Sequence, residues 1–148
     1  MQDLRWITLP DDGIDEFLGR GGTGLLSFTA GSDRPPVMRP VSYGYTARSR
    51  EFFFRLSLPA SAEKGAVVGQ PVAFATFEQT DEGWHSVVAT GRLEPLADRP
   101  AESSAVQKLW DVRIPAVDIF DRPRDEVALQ DFRLDPDELS GRKEVRTE

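Results

Sequence analysis

The sequence predicts a mainly β domain, a small antiparallel barrel with short helices. Three observations predict it. Between Gly24 and Leu96, five runs rich in β-branched and aromatic residues follow one another. Short turns of Gly, Pro, Ser, Asp or Arg separate most of them. Helical signals are confined to the two ends and to one connection.

Taken in order, Leu9 to Leu18 reads as a short helix, with Asp11 or Asp12 as cap and Ile14, Phe17 and Leu18 as its apolar edge. Gly19, Gly21 and Gly22 end it. Gly24 to Ala30 is the first strand, closed by the turn Gly31 to Pro36. The second, Val37 to Thr46, alternates Val37, Arg39, Val41, Tyr43 and Tyr45 against Met38, Pro40, Ser42 and Gly44. Pro40 has no N–H for a ladder, so this strand lies at an edge or bulge there. A turn at Ala47 to Arg50 leads into the third strand, Glu51 to Ser57.

Pro59-Ala60-Ser61 opens a short helix, with Ser61 as N-cap and Gly69 as its stop. Pro71 to Gln79 is the fourth strand and Trp84 to Leu93 the fifth, joined by the turn Thr80 to Gly83. Asp98-Arg99-Pro100 starts a second helix, Ala101 to about Trp110, and Asp111 to Arg124 is irregular. Val127 to Leu134 reads as a last strand, Asp135 to Gly141 as a helical turn, and Arg142 to Glu148 as a charged, frayed tail.

At 148 residues the chain fits one domain, residues 1–148, with one core. A net charge of −7 argues against nonspecific nucleic-acid binding, which needs a cationic face. No apolar run approaches the ~20 residues of a membrane span, and no signal-peptide core follows Met1. A cytoplasmic protein with no membrane partner is the expectation. Without cysteine there are no disulfides or thiolate metal sites, and a single histidine with scattered carboxylates makes no zinc cluster. Of 18 basic residues only Lys64, Lys108 and Lys143 are lysines. An acidic, lysine-poor surface fits a salt-rich cytoplasm, and GC-rich coding gives the same bias.

One of those lysines stands out. Lys64 falls in the first turn of its helix, where the macrodipole disfavours a cation by ~0.3–1 kcal/mol. A phosphate bound to the free N–H groups of that turn reverses the penalty. The competing reading is a solvated lysine partly neutralised by Glu63. Arg55 interrupts an apolar strand just before the helix, where its fork suits two phosphate oxygens, and Arg39 lies on the strand expected to pair with it. Three cations from separate segments call for an anion among them. Ser86 can donate to a ligand edge or serve as a small polar filler. His85 points to the opposite face from Ser86, which excludes a Ser–His couple within the strand. With no G-x-S-x-G elbow either, nucleophilic hydrolysis has no support. Trp110 reads as core or interface rather than as a cofactor stacker.

In this order, Gly24-Leu25-Leu26-Ser27, Arg39-Pro40-Val41-Ser42-Tyr43-Gly44-Tyr45, Phe52 to Ser57, Glu63-Lys64 and Trp84 to Arg92 resemble the pyridoxamine 5′-phosphate oxidase-like, FMN-binding split-barrel family. The resemblance covers about Asp12 to Leu96, with a weaker match at Leu134 to Arg142. It implies a split β-barrel that forms C2 homodimers with flavin at the interface. It places Arg39, Pro40, Val41 and Ser42 along the flavin, Phe54, Arg55 and Lys64 at ribityl and phosphate, and Ser86 at the ring. Many relatives carry His-Ser where this chain has Arg55-Leu56, so the phosphate clamp is a variant. The short, histidine-free C-terminal part departs from the true oxidase and argues against vitamin B6 synthesis.

Two functions follow from the resemblance. One is an FMN-dependent oxidoreductase acting on a small-molecule substrate or redox partner, in which the flavin carries the chemistry and no side chain is named as catalytic. The other is a non-catalytic sensor or store that holds flavin, F420 or haem.

Overall fold

A computed structural model describes residues 3–29, 31–57, 69–96 and 129–147. The element order is β1 (Asp3–Thr8), α1 (Asp11–Leu18), β2 (Gly21–Phe28), β3 (Val37–Thr46), β4 (Glu51–Ser57), β5 (Pro71–Thr80), β6 (Gly83–Pro95), β7 (Leu129–Leu134) and β8 (Glu138–Thr147). All five strands expected between Gly24 and Leu96 are present. The helices expected after Pro59 and Asp98, and the irregular stretch Asp111 to Arg124, lie outside the described residues.

The C-terminal expectation is overturned. The helical turn expected at Asp135 to Gly141 and the frayed tail after it are replaced by the ten-residue strand β8. It pairs with β6 from Thr90↔Glu138 to His85↔Lys143 and with β1 from Thr8↔Arg142 to Asp3↔Thr147. Gly141 marks a close approach, not a helix stop. A Cβ there would stand 2.8 Å from Ile14 Cγ1 and 3.0 Å from Leu9 Cδ1. Leu9 N–H donates to its carbonyl at 2.8 Å. The cap of α1 also differs: Pro10 takes that place, while Asp11 and Asp12 occupy the first turn, where the positive end of the helix favours them.

The strands run in the order β1-β8-β6-β5-β2-β3-β4-β7, and β7 pairs back onto β6. Strands β2 to β7 therefore close into a six-stranded barrel, and β8 and β1 extend the sheet from one side of β6. The length of β6 makes both possible. It pairs with β8 through His85–Thr90 and with β7 through Leu93–Pro95.

Alternation fills the interior. Val41, Tyr43, Tyr45, Phe52, Phe54, Leu56, Val72, Phe74, Val87, Ala89, Phe132 and Leu134 share one buried cluster, which α1 closes at one end with Ile14 and Leu18. Phe74 packs 5.1–5.2 Å, centroid to centroid, from Tyr43, Phe52 and Phe54. Gly24 is required at this crossing, because a Cβ would meet the Ala75 carbonyl at 2.6 Å and the Phe74 ring at 2.7 Å. Two phenols tie α1 to the barrel. Tyr43 donates to the Leu18 carbonyl at 3.1 Å and Tyr45 to Asp15 at 2.6 Å. Arg50, in the left-handed region at φ 57°, ends the β3–β4 turn and reaches Asp11 at 3.1 Å and Asp15 at 3.3 Å.

At the barrel closure Arg133 of β7 spans both neighbours, with Nη1 donating to Glu51 at 2.8 Å and Nη2 to Glu94 at 2.7 Å. Burial alone would lower the guanidinium pKa, but Glu94 and Glu51 outweigh it and raise it. Glu51 is only 3% exposed. Arg133→Ala removes that guanidinium from the buried carboxylate beside Glu94, and unfolding in denaturant should show a loss of about 3 kcal/mol. Replacing Glu51 and Glu94 with Gln in the same chain should recover part of that loss.

Burial pushes the Tyr43 phenol up to about 12, and burial together with the Asp15 bond raises Tyr45 as well. A raised phenol contributes its full stability below pH 10, where both states are protonated. As pH rises from 10 towards 12 the unfolded chain ionises first, so stability falls across that window. Tyr43→Phe should reduce the slope of stability against pH there, as measured by denaturant titration at stepped pH.

Candidate functional site

Strands β3 and β4 pair from Thr46↔Glu51 to Tyr43↔Phe54 and then separate. Beyond that point β4 continues with β7, through Arg55↔Asp131, Leu56↔Gln130 and Ser57↔Leu129. Among the described residues, the Val37–Ser42 half of β3 continues only with β2, from Thr23↔Ser42 to Phe28↔Val37. This is the split in the barrel. Among the described residues it leaves one edge of β3 without a ladder partner over Val37–Ser42, and Pro40, which has no N–H, sits on that half.

Arg39, Pro40, Val41 and Ser42 all lie on this open half. Val41 faces the core, Pro40 is exposed, and Ser42 is buried at 8% exposure. Arg39 shares the inner face with Val41, at the barrel mouth, its guanidinium 5.8 Å from the Phe28 centroid. Across the split, Phe54 is fully buried in the core. Arg55 is on the outer face of β4, its Nε donating to Asp131 at 2.9 Å. The two arginines thus flank the split on opposite faces of the sheet. Lys64 lies outside the described residues, as does Trp110.

Ser86 is not beside the split. It pairs with Phe77 of β5 and Arg142 of β8. Extending the β2–β5 register two residues past Leu25↔Ala75 gives one outer-face row: Arg142, Ser86, Phe77, Thr23 and Ser42. Three strand spacings, ~14 Å, separate Ser86 from Ser42 along it. The next row carries Gln79, Trp84 and Glu144, with Glu144 accepting from the Trp84 N–H at 3.4 Å. On the other side, the row Pro40, Leu25, Ala75 and Val88 is apolar and leads to exposed Met38.

Arg142 and Phe77 escaped the sequence reading. The sequence alone puts Arg142 in a frayed tail, and only the β8 register brings it beside Ser86. Phe77 carried a usable signal, since it falls on the solvent face of an alternating strand that buries Val72, Phe74 and Thr76. His85 faces the other way and stacks on Phe17 with centroids 5.6 Å apart, its Nδ1 within 3.2 Å of Thr80 Oγ1. Its setting is the α1 side of the sheet, away from the split.

This architecture defines a class, a split β-barrel. The chain belongs to the pyridoxamine 5′-phosphate oxidase-like family, as the family model of pyridoxamine 5′-phosphate oxidase matches residues 10–143. A comparison with curated proteins gives no match. Among solved structures, it is similar to an FAD-binding protein from Mesorhizobium loti (TM-score 0.65, 21% identity, covering 99% of this chain and 100% of that one). It is also similar to the FAD-binding protein from Mycobacterium smegmatis (0.65, 16%, covering 95% and 98%). A third is the FAD and haem binding protein from Mycobacterium smegmatis (0.58, 18%, covering 93% and 72%). At these identities the likeness is one of fold.

Proposed function

We propose that this protein binds a flavin at the barrel split and acts as a flavin-dependent oxidoreductase on a small-molecule substrate or redox partner. The observation that carries the reading is the open Val37–Ser42 edge of β3 in a chain of this family. Main-chain N–H and C=O groups at an edge with no ladder partner among the described residues suit the polar edge of a planar ring, and the filled barrel interior sends a ligand to the outside. The donor set fits a flavin phosphate as well. Arg55 presents a guanidinium 44% exposed at the split, with one nitrogen held by Asp131 and its fork thereby oriented. In this reading FMN is the cofactor, Arg39 to Ser42 line its ring, Phe54 supports the strand beneath it, Arg55 and Lys64 hold the phosphate, and Ser86 reaches the ring. Bound flavin supplies the redox chemistry, while the protein binds it, orients it and leaves a ring face open.

The same reading, added to the sequence's expectation of a cytoplasmic protein, makes it a homodimer, because a site whose parts lie ~14 Å apart on one sheet face is completed by a second copy. The apolar rows supply the contact. Met38 is 60% exposed and Val88 43%, with Pro40, Leu25 and Ala75 between them. A second function, a non-catalytic module for flavin, F420 or haem, draws support from the haem-binding neighbour.

Purified protein titrated with FMN should develop a protein-bound flavin spectrum that NAD(P)H bleaches and air restores. A bound spectrum inert to reductants supports the non-catalytic module, and a protein that ignores flavins overturns both flavin readings. Arg55→Ala and Lys64→Ala should each weaken FMN by about tenfold with unchanged thermal unfolding. In sedimentation the protein should run as a dimer and Val88→Glu as a monomer; a monomeric wild type sinks the dimer.

A further inference from the structure

The ladder between β6 and β8 stops at His85↔Lys143, while β8 runs on beside β1 to Thr147. Beyond that step β6 turns back into β5 through Gly83, at φ 115°, a backbone that favours glycine. Between the turn and β8 lies a notch, a recess of about 520 Å³ with Gln79, Asp81, Glu82, Lys143 and Glu144 in its lining. Glu144 is the unusual group there. It is only 8% exposed and makes no ion pair among the described residues. Its hydrogen bond comes from the Trp84 N–H, at a long 3.4 Å. A carboxylate taken this far out of water costs stability unless a cation is set against it. Glu51, the other buried glutamate among the described residues, has Arg133 in that place. Arg142, two residues along the same face, is exposed and does not pair with Glu144. Lys143 reaches the recess from the opposite face of β8, where Asp81, Glu82 and Glu144 outnumber it.

The flanks of that carboxylate are aromatic. Trp6 of β1 pairs with Glu144, and Trp84 adjoins it on β6. The two indoles are 55% and 40% exposed. Two strand spacings, ~10 Å, separate them, so a cation over Glu144 lies within the ~6 Å at which a ring face attracts it. Among the described residues no three His, Asp or Glu side chains converge as a metal site does. Indoles beside one buried carboxylate suit an organic cation, whose N–H groups donate to Glu144 while its carbon skeleton lies on the rings. We infer that the notch beside Glu144 binds a small organic amine in its protonated form, with Glu144 as counter-ion and Trp6 and Trp84 as walls. The site lies beyond Ser86 from the split and does not depend on the flavin reading.

The probe is n-butylammonium chloride, titrated into the full chain against sodium chloride of equal ionic strength and followed by tryptophan fluorescence and calorimetry. Expected is a saturable response to the amine and none to sodium. Glu144→Gln keeps an acceptor for the Trp84 N–H and removes the charge. Amine affinity should then fall about tenfold, while the ligand-free thermal midpoint holds or rises. Trp6→Ala, at an exposed position of an edge strand, should weaken the amine about fivefold with unchanged unfolding. A response that does not saturate, or a Glu144→Gln variant that binds the amine as the wild type does, overturns the site. Tighter binding of magnesium or calcium than of the amine overturns it too, in favour of an inorganic cation. If Glu144→Gln fails to fold, Trp6→Ala decides, and unchanged amine affinity there overturns the proposal.

Discussion

The change of partner by β4 is the constraint on which the rest depends. After Phe54 the strand leaves β3 and takes β7, and that exchange both closes the barrel and opens the split. Had β3 and β4 stayed paired, Ser42 would face Arg55 across an ordinary ladder, and the edge of β3 would be consumed. Closure is held by β7, whose six residues must satisfy two neighbours. Arg133 reaches both, and the neighbouring Phe132 and Leu134 are fully buried. An ion pair that would add little on the surface acts here where one carboxylate is buried, so its loss is felt through desolvation.

Much of this was legible in the chain. Alternation with β-branched and aromatic residues fixed β3 and β4 to the residue, and Pro40 marked the half of β3 whose second edge has no ladder partner among the described residues. The end of the chain was not legible, for physical reasons. Asp135-Pro136-Asp137 looks like a helix start and Gly141 like its stop, while only Leu139 and Val145 signal a strand. What makes β8 a strand is pairing on both sides with partners far away in sequence, which local propensity does not contain. The site divides along the same line. The β3 and β4 candidates follow from local pattern, whereas Arg142 joins Ser86 only through the long-range register. The two arginines expected to converge share a gap but not a face, because the pleat turns Arg39 inward and Arg55 outward.

The outer face joins two kinds of surface on one sheet. Rows through Met38 and Pro40 are apolar, and rows through Phe77 and Trp84 mix rings with charge and hydroxyl. The period of two along each strand keeps both from the core, and the register across strands sorts them into separate stripes. One sheet thereby carries an apolar stripe and a mixed aromatic and polar stripe without either intruding on the packed interior.

The pairing of β1 with β8 has a kinetic meaning. Asp3 meets Thr147, so this ladder joins segments separated by almost the whole chain. No part of it can form until β8 has been synthesised, so β1 must wait for nearly all of the chain between. The exposed Trp6 and Ile7 then lie on a strand unpaired during that interval, which makes the N-terminal segment the last to gain order and the first whose delay invites misassembly.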